Sequence, residues 1–218
     1  MSRTLIALLA AAALCGAAGG ASAQVDPQWF VRLGPALVDL DEDATMEAGG
    51  APVPGANVSI ESEWTAAVEI GRFVTPNIAV SFTGGFPPKF DVMSAGSLAA
   101  LGRAGSITGG PMAVTGHYHF NRQGAFQPYV GAGVAFMYVF DTEDGALTNL
   151  EVENAAGPAV QVGANYFFNE RFGAFADFKK AWFSSESRGN APAFGGAPVV
   201  ADVQLDPAVY NAGLIWRF

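Results

Sequence analysis

From Val58 the chain alternates. Ile60, Ser62, Trp64, Ala66, Val68 and Ile70 fall on one parity; Glu61, Glu63, Thr65, Ala67, Glu69 and Gly71 fall on the other. Successive side chains of a β-strand point to opposite faces, so this run predicts a strand with one mostly apolar face and one polar, acidic face. The C-terminus has the same form, with Tyr210, Ala212, Leu214, Trp216 and Phe218 against Asn211, Gly213, Ile215 and Arg217. Similar runs at 29–39, 78–88, 106–120, 127–140, 157–168 and 171–183 bring the predicted strands to eight. Each has about ten residues or more, longer than most strands of soluble sheets and enough to cross a bilayer at a tilt.

The connections alternate in length. Thr75-Pro76-Asn77, Asn121 to Ala125 and Asn169-Glu170-Arg171 are short and made of turn-forming residues. The stretches 40–57, 90–105, 141–156 and 184–200 are long and rich in Gly, Ala, Ser, Asn, Asp and Pro. An even number of long strands joined by short turns at one end and long loops at the other is the pattern of bacterial outer-membrane barrels. The expected fold is therefore all-β: an eight-stranded antiparallel up-and-down transmembrane barrel with four long extracellular loops and short periplasmic turns. A secreted, lipocalin-like soluble barrel is the alternative, with the apolar parity turned into its core.

Aromatic residues favour the membrane reading, because they gather toward strand ends: Trp29, Phe73, Tyr118, Phe120, Phe126, Tyr138, Phe140, Tyr166, Phe168, Trp182, Trp216 and Phe218. Rings with an apolar body and a polar edge settle at the bilayer interface. The last strand ends on Phe218, the kind of C-terminal strand that the barrel assembly machinery reads. Outer-membrane lipid and lipopolysaccharide are the other expected partners.

Composition narrows the function classes. Half of the 218 residues are hydrophobic and only 14% are charged, with 27 glycines, which excludes a disordered chain. The net charge of −9 argues against nucleic acid as a partner, since that needs a basic face. Residues 1–23 read as a cleaved signal peptide: Arg3, an apolar run from Leu5 to Leu14, and Ala21-Ser22-Ala23 as the cleavage pattern. Cys15 is the only cysteine and leaves with the leader, and Leu14 before it is too large for a lipoprotein signal. The barrel domain is then 24–218, with 10 basic against 20 acidic residues. Beyond residue 24 no apolar run reaches the roughly 18 residues of a transmembrane helix.

Four ordered segments carry a family likeness. Phe126-Gln-Pro-Tyr-Val-Gly-Ala-Gly-Val134, Gly157-Pro-Ala-Val-Gln-Val-Gly-Ala-Asn-Tyr166, Phe86-Pro-Pro-Lys-Phe90 and Leu205-Asp-Pro-Ala-Val209 resemble strand and turn motifs of the outer membrane protein W family. The resemblance covers most of residues 28–218. It implies an eight-stranded barrel with a narrow, partly hydrophobic interior that helps small hydrophobic molecules across the outer membrane, leaving sideways through the wall. Other members are discussed as stress-responsive proteins or as phage and colicin receptors, so a closed structural or receptor barrel acting through its loops is the second expectation.

With Phe218 placed toward lipid, alternation assigns the lumen: Arg32, Glu61, Glu63, Glu69, Ser81, Thr83, Thr115, His117, His119, Gln127, Gln161, Asn165, Asp177, Lys179, Asn211 and Arg217. Eight strands leave only enough room for side chains to fill the interior, and buried charges there must pair. A low plug is expected around Arg32, Glu69 and Arg217 with His117 and His119 nearby, serving either as a gate or as a structural tie. Above it the inward parity turns apolar at Ala36, Val38, Ala135, Met137 and Val139, which suits either a small hydrophobic ligand or plain packing. Pro35, Pro87, Pro88, Pro158 and Pro207 remove ladder donors and, if several fall at one level, would open a lateral gap.

His117-x-His119 puts two imidazoles on one face, a weak metal signature without a third ligand. The loop acids Asp39, Asp41, Glu42, Asp43 and Glu47, with Asp141, Glu143, Asp144, Glu151 and Glu153, lack an EF-hand order and read as a solvated surface. No metal and no cofactor are expected. Nor is an enzyme: no G-x-S-x-G elbow, zinc helix or phosphate loop occurs.

Overall fold

The computed structural model describes residues 28–218; the leader expected at 1–23 lies outside the described residues. The strands, in chain order, are β1 (Trp29–Asp39), β2 (Asp43–Ala48), β3 (Ala51–Pro52), β4 (Ala56–Ile60), β5 (Glu63–Phe73), β6 (Ile78–Gly85), β7 (Lys89–Gly96), β8 (Arg103–His119), β9 (Phe126–Asp144), β10 (Thr148–Val152), β11 (Ala155–Phe167), β12 (Phe172–Ala181), β13 (Ser184–Ala191), β14 (Ala197–Gln204) and β15 (Ala208–Arg217). Eight of them, β1, β5, β6, β8, β9, β11, β12 and β15, pair antiparallel each with the next, and β15 closes on β1. This is the up-and-down barrel that the alternation predicts.

Closure is pinned by register. Arg32 stands opposite Glu69, Glu69 opposite Thr83, and Thr83 opposite Ala113. A slip of one residue would turn every inward side chain outward. Trp64 and Leu214 are each 67% exposed on the outer wall and Phe218 is 49% exposed, whereas Glu69 is fully buried. An apolar wall around a polar interior is the reverse of a lipocalin, which disposes of the soluble alternative. Acyl chains, in place of water, are the solvent this exterior fits. Aromatic pairs ring it: Tyr118 with Phe120 (5.2 Å between centroids), Trp216 with Phe218 (4.7 Å) and Phe172 stacked on Trp216 (6.1 Å) near the short turns, and Tyr138 with Phe140 (4.8 Å) farther up. Phe73 does not join them; it has the inward parity and packs on Phe30 (5.8 Å) and His119 (4.8 Å).

The short turns are closed by the residues that predict them. Thr75 Oγ1 accepts a hydrogen bond from the Ile78 N–H at 2.9 Å, and Asn169 Oδ1 accepts from the N–H groups of Arg171 and Phe172, both at 2.9 Å. The long connections are not loose. β10, β13, β14, β2 and β3 form a second, five-stranded sheet, while β4 pairs with β7 and β7 with the outer part of β8. Their acids are spent locally: Glu42 Oε1 accepts from the Ile60 N–H (2.8 Å), Glu143 pairs with Lys89 (2.7 Å), and Asp144 accepts from the N–H groups of Asn149 and Leu150 (3.0 Å each). Those two amides hold the Asp144 carboxyl below its ordinary range.

One expected strand is two. The alternation from Val58 runs through Glu61-Ser62, but the chain breaks there: β4 leaves the barrel for β7 and β5 begins at Glu63. Parity changes across the break, so Ile60 is buried and Glu61 is exposed, opposite to the expected placement. Glu63, at the first residue of β5, is only half-buried. Ser62 donates to Asp39 at 2.6 Å, a local bond that an alternation pattern does not register.

The closing seam is tight. A Cβ added at Gly213 would lie 2.1 Å from the Leu33 carbonyl oxygen and 2.7 Å from the Gly34 Cα, atoms that cannot rotate away. Gly213→Val is therefore expected to destabilise the barrel by about 1–3 kcal/mol, read as a lower urea midpoint and a weakened heat-modifiable gel band. A midpoint like that of the wild type would show that the seam has room.

Candidate functional site

The interior is stacked in layers. Nearest the short turns, Phe30, Ala79, Phe167, Phe175 and Ile215 form an apolar base, with Phe73 packed against them. Arg217 belongs to this level. It has the inward parity, but its place opposite Phe30 sets it one inward step below Arg32. Its guanidinium lies 4.1 Å from the Phe167 ring centroid and its Nε donates to the Glu170 carbonyl. Arg217 thus lies at the mouth beside Phe167 and Glu170, one inward step from the Arg32–Glu69 pair with which it was expected to form the plug.

Above this base, Arg32 and Glu69 form a fully buried ion pair, Nη1 to Oε1 at 2.7 Å. Lys179, which alternation places in the lumen without a partner, is the second cation: its Nζ donates to Glu69 Oε2 at 3.1 Å and also to Asp177 Oδ1. Tyr129 OH donates to Asp177 Oδ2 at 2.6 Å, and Gln161 Nε2 donates to the same oxygen at 2.7 Å and to Glu69 Oε2 at 3.3 Å. Arg32 Nε donates to Asn165 Oδ1 at 3.1 Å, and Thr115 Oγ1 donates to Gln161 Oε1 at 2.6 Å. His117 Nε2 shares hydrogen bonds with Ser81 (2.8 Å) and Thr115 (2.9 Å) and lies 3.6 Å from Glu69. These bonds tie β1, β5, β6, β8, β9, β11 and β12 together. Two cations face two carboxylates.

Rings complete the layer. The Arg32 guanidinium lies 4.3 Å from the Tyr129 centroid and 4.7 Å from that of Phe30, and His117 and His119 both stack on Tyr129, at 5.4 and 4.9 Å. A cation in a dry lumen gains from such faces what water would otherwise supply. Both histidines point inward as alternation predicts, and His119 serves as an aromatic wall beside Phe73. Tyr129 is the residue that inspection of polar positions misses, because it reads as aromatic wall; its parity with Gln127 is the signal that would have found it. Among the described residues no three His, Cys, Asp or Glu side chains converge as metal ligands would.

Over the polar layer lies a chamber of about 70 Å³ whose inner wall is alanine: Ala36, Ala67, Ala113, Ala135, Ala159 and Ala181. A water needs roughly 10–15 Å³ by this measure, so the chamber holds several heavy atoms. Its remaining lining reaches the barrel wall at Gly84–Pro88 and at Gly110, Pro111 and Met112. Here the ladder is interrupted. Pairing of β6 with β8 ends at Thr83–Ala113, and pairing of β7 with β8 starts at Lys89–Thr108. Pro87 and Pro111 have no N–H to offer across the gap, which closes on the loop side where the Gly109 N–H donates to the Pro88 carbonyl at 3.1 Å. Of the five prolines singled out, Pro87, Pro88 and Pro207 line the same chamber, whereas Pro35 and Pro158 stand opposite Ala66 on β5 and Val134 on β9, and the β1–β15 pairing passes over Gly34 and Pro35.

Toward the loops, Val38, Leu40, Ile60, Phe90, Met137, Phe183 and Leu205 pack into one apolar cluster that shares residues with the chamber. Val139, two residues on from Met137, is half-buried. Beyond the cluster a second cavity of about 70 Å³ opens under the five-stranded sheet, lined by Met46, Val58, Leu98, Ile107, Leu150 and Val199 among others, with serine as its only polar lining. The expected upper-lumen residues Ala36, Val38, Ala135 and Met137 are all buried in this stack.

Comparison with known proteins agrees with the geometry. Residues 26–218 match the OmpW family. The chain belongs to the OmpW family. It is an outer-membrane β-barrel. Outer membrane protein AlkL of Ectopseudomonas oleovorans is 31% identical over 178 residues, 82% of this chain and 76% of that protein. The dibenzothiophene metabolism operon protein PahQ of Pseudomonas aeruginosa is 28% identical over 87% of this chain and 88% of its own length. In fold, the crystal structure of outer membrane protein OprG from Pseudomonas aeruginosa superposes with a TM-score of 0.82 at 24% identity, covering 88% of this chain and 96% of that one. In this OmpW-family barrel the Phe126–Val134 motif supplies Tyr129 to the polar layer and Gln127 to the turn below it, where its amide donates to the Arg122 and Gly124 carbonyls, and Phe86-Pro-Pro-Lys-Phe90 forms the rim of the wall gap.

Removing one member of a buried ion pair leaves the other charge without compensation, at about 3–5 kcal/mol. Glu69→Ala is expected to lose about that much in urea unfolding of the refolded barrel, and Arg32→Met with Glu69→Met is expected to recover most of it. A single variant as stable as the wild type would show that the pair does not hold the strands.

Proposed function

We propose that this barrel conducts small apolar molecules from the loop side into the membrane: through the cavity under the loop sheet, past the Met137 cluster, into the alanine chamber and out through the gap at Gly84–Pro88. One observation carries the reading. A single cavity is lined both by luminal alanines and by wall residues of an interrupted ladder. A route for ions or sugars would need polar lining, and here the lining above Lys179 is mostly hydrocarbon, with only threonine and serine hydroxyls among it. The Arg32–Glu69–Lys179–Asp177 network acts as a fixed floor that turns the solute aside. The relationship to a protein named for dibenzothiophene metabolism fits an apolar aromatic cargo.

The test is entry of labelled toluene into vesicles whose outer leaflet carries lipopolysaccharide. Met137→Arg places a charge in the apolar cluster and Ala135→Phe fills the chamber, and each is expected to cut barrel-dependent flux at least tenfold while the variants keep the folded gel mobility. Unchanged flux in both would favour the closed receptor barrel acting through its loops.

A further inference from the structure

Thr83 occupies a singular position. It closes the β6–β8 ladder at the edge of the wall gap, lines the alanine chamber, and is 7% exposed, yet its hydroxyl has no hydrogen-bond partner among the described residues. A buried hydroxyl left unpaired is destabilising, so an occupant that bonds it gains what the empty protein lacks. Its cross-strand neighbour Glu69 does not bond it; those carboxylate oxygens are taken by Arg32, Lys179 and Gln161. Lys179 also lines the chamber. An ammonium carries three N–H groups, of which Glu69 and Asp177 engage two. The chamber floor therefore presents polar hydrogens beneath a ceiling of methyl groups.

Charge decides which polar group suits this floor. The two cations of the network already face two carboxylates, so a carboxylate on the solute would bring an uncompensated charge into a dry lumen. A neutral oxygen would not. We infer that the chamber prefers small apolar molecules bearing one neutral oxygen function, an alcohol, phenol or carbonyl, whose oxygen bonds the Thr83 hydroxyl while the hydrocarbon body lies against the alanines. The preference rests on the chamber being the binding site proposed above and adds its substrate class. A molecule leaving through the gap at Gly84–Pro88 passes Thr83 at its inner edge, so this residue sets specificity at the exit.

The experiment uses the refolded full barrel in lipid nanodiscs with carbon-13 alanine methyls, titrated with toluene and with p-cresol, its hydroxyl-bearing counterpart. Each apparent affinity is corrected for partition into protein-free discs. Both probes are expected to shift Ala67 and Ala113, with p-cresol bound more tightly. The p-cresol preference is expected to fall roughly fivefold to tenfold in Thr83→Val, the scale of one net hydrogen bond, and to persist in Thr83→Ser. Equal affinities in the wild type, or a preference that survives Thr83→Val, would overturn the inference while leaving the chamber as a binding site. If neither probe moves a chamber methyl, the site itself is wrong. The wild-type comparison decides the matter even where Thr83→Val does not refold.

Discussion

The buried pair of Arg32 and Glu69 is the constraint around which the rest of the barrel is arranged. Eight strands enclose too little space for bulk water, so charge placed inside must be neutralised by protein groups alone. The Arg32 carboxylate partner arrives from β5, the second cation from β12, hydrogen bonds to these charges from β9 and β11, and the groups that hold Gln161 and His117 in place from β6 and β8. A network with partners on so many strands can form only when the sheet is closed in one register. The layer is costly to desolvate and unforgiving of slippage, and so it specifies the barrel as much as it stabilises it.

What sits above the network follows from it. Because the floor is filled by long polar side chains, the chamber exists only where the inward residues shrink to alanine, on β1, β5, β8, β9, β11 and β12. Below the floor the inward residues are large instead: Phe30, Phe167 and Phe175 pack with Ile215 and Ala79. The chamber is thus walled largely by methyl groups with charge underneath. An interruption of the wall ladder lies at the same level, where Pro87 and Pro88, between β6 and β7, come beside Pro111 of β8. Size, polarity and the broken ladder point in one direction.

Much of this was legible as alternation. The eight barrel strands, the inward placement of Arg32, Glu69, His117 and Lys179, and the outward Trp64 and Leu214 all follow from a period of two. Contacts between strands far apart in sequence did not. Lys179 joins Glu69 across 110 residues, a pairing set by tilt and closure, and the step along the barrel axis between Arg217 and Arg32 is not something parity alone reports. Glu61 misled for a related reason: nothing in Glu61-Ser62 interrupts an alternating pattern, and the break there reflects the attraction of β7 for β4. The wall gap was half visible in Pro87 and Pro88; Pro111, which faces it, gained meaning only from the register. The glycine-rich connections hid a five-stranded sheet whose apolar side lines the outer cavity.

The polar layer as a barrier to axial passage is tested most directly by light. A small apolar diazirine, added to the folded barrel in lipid and photolysed, labels the inward residues it can reach, and mass spectrometry maps them. The expected result is adducts on Met137, Ala135 and the Phe86–Pro88 stretch, and none on Phe30 or Phe175 beneath the network. Labelling of Phe30 and Phe175 at a similar yield would mean that solutes pass straight through, and that Arg32 and Glu69 close nothing.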